Sequence, residues 1–301
     1  MAEITAKLVK ELRDKTNAPM MDCQRALKEN NGDIDASVDF LRKKGIVGAE
    51  KRAGKEAKEG IIFAQVNAAA NLGVLVEVNC ETDFVAKNDG FRAFVESIAS
   101  HVSATESAAD QCVEKVVETP SPDGKGTFGE YIKAKVGEVG ENIVLRRFRR
   151  FQTGSNGFVT SYIHMAGRVG VLLEVTTGKA ETHAQEAFRA LTKDITLQIA
   201  ASSPEVVGRA DVCPDVFAKE EGIQRERMQA QLASKPANIQ QKIIEGAMGK
   251  FYSQICLLEQ AFIKEPEKSV DDLIKATGKI LGDTITVVRF SRFAVGEELK
   301  A

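Results

Sequence analysis

The 301 residues suffice for one to three domains, and a composition of 43% hydrophobic and 28% charged residues is that of an ordinary globular protein. A formal net charge of −2 excludes a global attraction to nucleic acid or acidic membranes. No apolar run approaches the ~20 residues of a membrane-spanning helix, and the amphipathic start lacks the features of a secretory signal. The five cysteines are scattered, which predicts reduced thiols in a cytoplasmic protein.

The first predicted unit is a helical domain at residues 1–45. Apolar residues recur at intervals of four from Ile4, Pro19 suits a first helical turn, and Asp33 is placed to cap a third helix. The segment that follows, 46–59, is rich in lysine, arginine and glycine. We interpret it as a basic, solvated linker, and a patch that faces phosphates or acids is the alternative.

Beyond this linker the chain repeats itself. The run GVLVEV, from Gly73, recurs as GVLLEV 97 residues later, and the run IKAKVGEVGENIVLRRFRRF, from Ile132, recurs as IKATGKILGDTITVVRFSRF 142 residues later. Each copy is typical of two strands, a helix, a further helical stretch and a strand. The sequence therefore predicts an α+β fold, in which the helical domain precedes a duplicated core with subdomains at 60–155 and 156–296.

The second copy contains 45 residues more than the first. This insertion is helical in pattern on both sides of a break at Lys235-Pro236, which predicts an antiparallel helical hairpin, or arm, at about 215–262. Its predicted apolar seam consists of Ile239, Ile243, Ala247 and Phe251. Because the arm buries little against itself, we expect it to contact another protein or a second copy, and a homodimer through the core or the arm stays open.

The sequence contains no motif for catalysis or for nucleotide binding. Gly54-Lys55 lacks the first glycine and the Ser/Thr of a phosphate-binding loop, no G-x-G-x-x-G follows a strand, and the three histidines lack metal-ligand spacing. The carboxylate pair Glu297-Glu298 lies in a polar tail and is expected to be solvated. We therefore expect a binding protein and not an enzyme, with no catalytic residue, no metal site and no cofactor.

The segment RRFRRF at 146–151 interleaves basic and aromatic residues, as single-stranded nucleic-acid sites do. Its recurrence in the second copy favours a scaffold strand instead, with apolar residues inside and arginines outside. An RNA- or ribosome-binding accessory protein that uses this strand and the basic stretch from Lys43 to Lys58 is the alternative function.

The stretch ETDFVAKNDGF places an acid and an aromatic residue, Asp83 and Phe84, between a strand and a helix. At the 97-residue offset they fall on Ala180 and Glu181, so the repeat keeps the flanking elements and loses this pair. One interpretation is a hydrophobic staple, with Asp83 as the N-cap and Phe84 folded onto the next turn. The other is an exposed aromatic anchor beside a charge, as in interface hot spots.

TDFVAKND after a GVLVEVN-type strand resembles the signature of the elongation factor Ts family, the guanine-nucleotide exchange factors of bacterial elongation factor Tu. The likeness covers nearly the whole chain. LVKELRDKTNAPMMDCQRALKENNGDID is similar to the family's ubiquitin-associated-like N-terminal domain, and VGENIVLRR to its IGENI-type segment. SYIHMAGRVGVLLEV resembles its second-core strand with a histidine, and EGAMGKFYSQICLLEQAFIKEP the return helix of its arm.

This resemblance implies a mechanism without bond making. The Asp-Phe pair would enter the G domain of elongation factor Tu near its magnesium and phosphate-binding elements, loosen magnesium and GDP, and let GTP enter. The N-terminal domain would hold the G domain, and the second half of the core would touch another domain of the partner. The implied partner contacts are Thr82, Asp83, Phe84 and Val85, with further contacts at Val139, Gly140 and His164. The chain itself is expected to bind no nucleotide.

Overall fold

The structure, a computed structural model, describes residues 4–16, 18–106, 108, 112–229, 233 and 235–299, and at 46–51 it describes the backbone alone. The protein combines helices and antiparallel sheets, which confirms the predicted α+β class and the helical start. Its first three helices are α1 (Ala6–Thr16), α2 (Met20–Glu29) and α3 (Ile34–Arg52). They pack around a core that includes Leu12, Cys23 and Leu27.

The signals at the start of α2 and α3 acted much as predicted. The Asp33 carboxylate accepts a hydrogen bond from the backbone N–H of Ala36 (2.9 Å), which caps α3. Pro19 is the N-cap of α2 and does not enter its first turn. Both residues therefore mark helix starts, as expected from the sequence.

The predicted linker is partly helical, because α3 continues past residue 45 to Arg52. The cause is a close contact with a core helix, α7 (Phe128–Val139). A Cβ atom at Gly137 would lie 2.4 Å from the Cα of Gly45, so the backbones of the two helices meet at these glycines. This packing outweighs the low helix propensity of glycine and joins the N-terminal bundle to the core.

Two three-stranded antiparallel sheets form the centre of the core. The first has the order β1-β2-β3 and the second β4-β5-β8. Each contains a register irregularity in its central strand, at Glu77/Val78 and at Glu174/Val175, which are 97 residues apart. The strands are β1 (Glu59–Val66), β2 (Leu72–Cys80), β3 (Val144–Gln152), β4 (Gly157–His164), β5 (Val169–Thr177), β6 (Ala261–Phe262), β7 (Glu265–Ser269) and β8 (Ile285–Ala294). Origin from one duplicated unit stays a prediction.

The two sheets pack face to face, and helices cover their outer faces. Side chains from both sheets meet in one buried cluster that includes Leu75 and Leu172. A Cβ at Gly73 would lie 2.6 Å from Val159, and one at Gly170 would lie 2.4 Å from Ile62, so the glycine that opens each repeated run permits this approach. The remaining helices are α4 (Asp83–Ala86), α5 (Asp89–Ala104), α6 (Val113–Val117), α8 (Glu186–Ser202), α9 (Pro214–Arg227), α10 (Ala237–Ile255) and α11 (Val270–Leu281).

The RRFRRF segment lies in β3, and its aromatic residues are buried, which confirms a scaffold role. Its arginines, however, are only partly exposed. Arg147 donates to the fully buried Glu77 carboxylate (2.6 Å) and lies over the ring of Phe293 (4.0 Å). In the second sheet Arg289 makes the same pair with Glu174 (2.6 Å) and lies over Phe151 (4.3 Å). The buried carboxylates of Glu77 and Glu174 need these partners, and each arginine also contacts an aromatic ring of the other sheet.

The tail carboxylate Glu297 is also part of this scaffold, contrary to the expectation of a solvated pair. Arg147 donates to Glu297 Oε1 (2.6 Å), and Arg292 lies 3.4 Å from its other oxygen. The backbone N–H of Gly296 reaches Glu77 (3.2 Å). The polar composition of the tail did not reveal this role, because the partners lie far away in the sequence.

Helices α9 and α10 form the predicted arm. Phe217 stacks on Tyr252 with ring centroids 6.1 Å apart, and Ile244 and Met248 are the buried residues of its core cluster. The predicted seam is wrong at Ile239, which is 41% exposed. Residues 230–232 and 234, at the predicted end of the first arm helix, lie outside the described residues. Contact of the arm with another protein or a second copy stays a prediction.

No helix among the described residues is long and apolar enough to cross a lipid bilayer.

Candidate functional site

The short helix α4 presents an aromatic ring to solvent. Thr82 is its N-cap, since its hydroxyl accepts a hydrogen bond from the backbone N–H of Val85 (3.4 Å). Val85 and Ala86 pack inward against the core of the first sheet, whereas Phe84 is 82% exposed. The staple interpretation is therefore wrong: Asp83 is not the cap, and the Phe84 ring does not fold back onto the chain.

Asp83 adds a negative charge beside this ring. Its carboxylate accepts from the Lys87 ammonium at 2.6 Å, one helical turn away. This hydrogen bond with Lys87 is the main reason that the pKa of Asp83 lies below its ordinary value. The side chain is therefore ionised near neutral pH, and an exposed aromatic ring and an exposed carboxylate stand next to each other.

A second segment, Val139 to Asn142, clamps the backbone before α4. Glu141 Oε2 accepts from the backbone N–H groups of Glu81 (3.1 Å) and Thr82 (3.0 Å), and Oε1 accepts from the Thr82 hydroxyl (2.7 Å). In return, the Glu81 carboxylate accepts from the backbone N–H of Asn142 (2.6 Å). In each segment a carboxylate thus accepts hydrogen bonds from backbone N–H groups of the other segment. Hydrogen bonds to a charged acceptor are stronger than those between uncharged groups.

The N-terminal helix α3 reaches the same cluster. Arg52 and Lys55 lie 3.3 and 3.5 Å from the two oxygens of Glu81. The pKa of Glu81 is lowered, first by the Asn142 backbone hydrogen bond and then by these cations. Two basic residues of the predicted linker region therefore pair with an acid of the chain itself, which agrees with the acid-facing form of the alternative interpretation.

Val139 and Gly140 shape the turn that carries Glu141. Val139 ends α7 and is partly buried against the core of the first sheet. Gly140 follows in a left-handed conformation with φ of 80°, which favours glycine. Val139 and Gly140 thus directly precede Glu141 in the chain, and Glu141 is the residue that contacts Thr82.

His164 is the last residue of β4, and the turn that follows it packs at Gly167 against Ile61 and Ile62 of β1. Its Nδ1 is 2.9 Å from the hydroxyl of Tyr162. Met165 and Ala166, which follow, adopt φ of 49° and 53°, a conformation that is uncommon outside glycine. Met165 is 68% exposed, and this second exposed apolar side chain was missed in the sequence, because β4 and its turn have no pattern that predicts exposure.

Comparison with known proteins identifies the family. A family model described as elongation factor TS matches residues 81–297. The chain belongs to the elongation factor Ts family. A relative named elongation factor Ts from Trichlorobacter lovleyi is 44% identical over 99% of this chain and 94% of its own length. Relatives of the same name from Symbiobacterium thermophilum and Nostoc punctiforme are 41% and 39% identical over 100% of this chain and 94% and 95% of theirs.

Membership in the elongation factor Ts family makes the chain a translation elongation factor. The match to the family model begins at Glu81, inside the clamp, and includes all seven predicted contact residues. The N-terminal bundle lies outside that match, but the alignments to the relatives cover it, since they extend over 99% or more of the chain.

The sequence analysis missed Glu81 and Glu141, which the structure places at the centre of the cluster. One signal was available. Glu141 follows a glycine at the end of a predicted helix, and the second copy has an acid, Asp283, at the same place of the repeat.

Within the described part of the chain no group of three or more His, Cys, Asp or Glu side chains could hold a metal ion.

Proposed function

We propose that this chain binds elongation factor Tu and promotes release of its GDP, acting as an exchange factor and not as a catalyst of bond making. The observation that supports this most strongly is the exposed Phe84 ring on a helix whose backbone is fixed by a cap and two carboxylates. A Phe side chain that is mostly exposed contributes little to the fold, so a role in binding explains its presence best.

Phe84 is suited to enter a pocket of the partner. Burial of a Phe side chain is worth roughly 1.5–3 kcal/mol. Because α4 is already held in place by Thr82 and Glu141, little conformational entropy is lost on binding. Binding energy is therefore available to distort the partner's nucleotide site.

Asp83 has a different role in this proposal. Its carboxylate is ionised and moves into the partner with the Phe84 ring. Near a magnesium ion and the phosphates of GDP, this charge repels the phosphates and competes for the cation. Val85, which packs partly against the core, borders the inserted pair, while Val139, Gly140 and His164 add contacts around it.

The mechanism follows from linkage between two ligands of elongation factor Tu. If the chain weakens GDP binding by some factor, GDP weakens binding of the chain by the same factor. The chain therefore binds the nucleotide-free partner best, and GTP displaces it in turn. The N-terminal bundle would hold the G domain of the partner, and the second half of the core would contact another domain.

Release of a fluorescent GDP analogue from elongation factor Tu, chased with excess unlabelled GDP, tests the proposal. The wild-type chain should accelerate release in a saturable manner. Glu181→Ala provides the matched control, because Glu181 occupies the place of Phe84 in the second copy and should leave the rate unchanged. A wild-type chain that leaves the rate unchanged, and that instead retains RNA in a strongly salt-dependent way, would overturn the proposal in favour of nucleic-acid binding.

A further inference from the structure

We propose that Glu141 is a positioning residue, whose carboxylate holds the segment from Thr82 to Val85 so that Phe84 is presented to the partner. The inference rests on the proposed function, since it assigns a cause to the exposure of the Phe84 ring. Glu141 itself need not touch the partner. It acts through the loop that it clamps.

The hydrogen bonds of Glu141 fix the direction in which α4 begins. One carboxylate oxygen accepts hydrogen bonds from the backbone N–H groups of Glu81 and Thr82. The other accepts a hydrogen bond from the Thr82 hydroxyl. A hydroxyl group has one proton, so this bond turns its lone pairs toward Val85, whose backbone N–H it accepts (3.4 Å). The carboxylate therefore orients the cap, and the cap orients the helix that carries Phe84.

The clamp is anchored on rigid elements. Glu141 follows α7, whose side chains Ile132 and Val136 are buried in the core. The next residue, Asn142, is also buried, and its side-chain amide donates to the backbone carbonyl of Lys55 (2.8 Å). Since α7 also packs on α3 at Gly45, the position of α4 is tied to that of the N-terminal bundle.

The second half of the core contains a similar clamp without the aromatic ring. Asp283 lies 142 residues after Glu141, and its carboxylate accepts from the backbone N–H of Lys179 (3.1 Å), 97 residues after Thr82. The hydroxyl of Thr182 also donates to Asp283, and this bond is the main reason that the pKa of Asp283 is lowered. The clamped segment carries Glu181 in place of Phe84, so the protein contains its own control.

A purely structural clamp and a positioning clamp predict different results for a pair of variants. Glu141→Ala and Asp283→Ala each remove one clamp, and both should lower the melting temperature by similar amounts. Only Glu141→Ala should lower the maximal rate of GDP release at saturating chain, on the order of 10- to 100-fold, because a small displacement of a positioned group has effects of this size. The chain concentration at half-saturation should change less than the maximal rate.

Glu141→Gln should restore most of the lost rate. Its amide oxygen can accept the two backbone N–H groups, and its amide nitrogen can donate to the Thr82 hydroxyl. A clamp that works through hydrogen bonds is therefore rescued by the isosteric side chain. A Glu141→Gln variant as slow as Glu141→Ala would show instead that the charge itself acts on the partner, and would overturn the positioning role.

Fluorescence gives a readout that does not depend on exchange. The chain contains no tryptophan, so Phe84→Trp introduces a single reporter on α4. In this background Glu141→Ala should shorten the local rotational correlation time of Trp emission, whereas Asp283→Ala should leave it unchanged. Unchanged anisotropy in Glu141→Ala, or equal loss of exchange in both alanine variants, would overturn the inference. If the wild-type chain does not accelerate GDP release from elongation factor Tu, the proposed function is overturned. The anisotropy result would still show whether Glu141 positions α4.

Discussion

Replacement of Phe84 by alanine should remove most of the exchange activity and leave the fold intact. The ring is 82% exposed in the free chain, so its truncation removes little native packing. Ordinary surface substitutions change the free energy of unfolding by less than about 0.5 kcal/mol. We expect a change within that range, and hence a melting temperature close to that of the wild-type chain.

The effect on exchange follows from burial of the ring in the complex. Loss of a buried Phe side chain costs roughly 1.5–3 kcal/mol, which is about a 10- to 150-fold change in an equilibrium constant. The ring is buried only when it has entered the partner. The substitution therefore destabilises the complex in which GDP is loosened, by this amount of free energy. The maximal rate of GDP release should fall by a factor in that range.

Thermal melting and GDP release, measured on one preparation, separate the two effects. Phe91→Ala serves as the contrast, since Phe91 is 2% exposed and packs in the core of the first sheet. This variant should lose about 3–5 kcal/mol of stability and keep its exchange rate per folded molecule. A Phe84→Ala chain that is destabilised but fully active would refute the reasoning, because the ring would then belong to the core.

Three further predictions concern the charge, the nucleotide and the arm. Asp83→Ala should weaken binding less than Phe84→Ala but lower the maximal exchange rate. Since the pKa of Asp83 is lowered, the carboxylate stays charged above that depressed pKa, and its contribution should be constant from about pH 8 to pH 5 and fall only below the ordinary range of an Asp. Calorimetry of the chain alone with GDP or GTP should give no saturable signal at micromolar protein, and a saturable signal would contradict the account. Deletion of residues 214–254, with a short glycine linker, should leave a cooperative melting transition, because Ile244 and Met248 pack within the arm; loss of cooperativity would show that the arm supports the core.

Local signals in the sequence predicted the elements of the fold well. Three signals each correspond to a helix of the structure: the periodicity from Ile4 to α1, the Asp33 cap to α3, and the break at Lys235-Pro236 to the start of α10. The end of α3 was predicted too early, since glycine propensity suggests a linker and the contact of Gly45 with Gly137 is non-local. Helix ends that depend on tertiary packing cannot be read from a local pattern.

The sequence predicted the motif of the candidate site, but it did not predict the side chains that hold this motif in place. The comparison of Phe84 with Glu181 showed that the repeat does not require the ring, but sequence alone left the staple interpretation open. Glu141 was missed because its partner Thr82 is 59 residues away. Glu297 was misjudged for the same reason, since Arg147 lies 150 residues before it. Long-range pairs of this kind have no local signal.

The central claim is that this chain and GDP oppose each other on elongation factor Tu. The most direct test is the dissociation constant of the chain for elongation factor Tu, measured without nucleotide and with saturating GDP. The account predicts weaker binding with GDP, by the same factor by which the chain weakens GDP binding, and a smaller factor for Phe84→Ala. Equal affinities in the two states would contradict it.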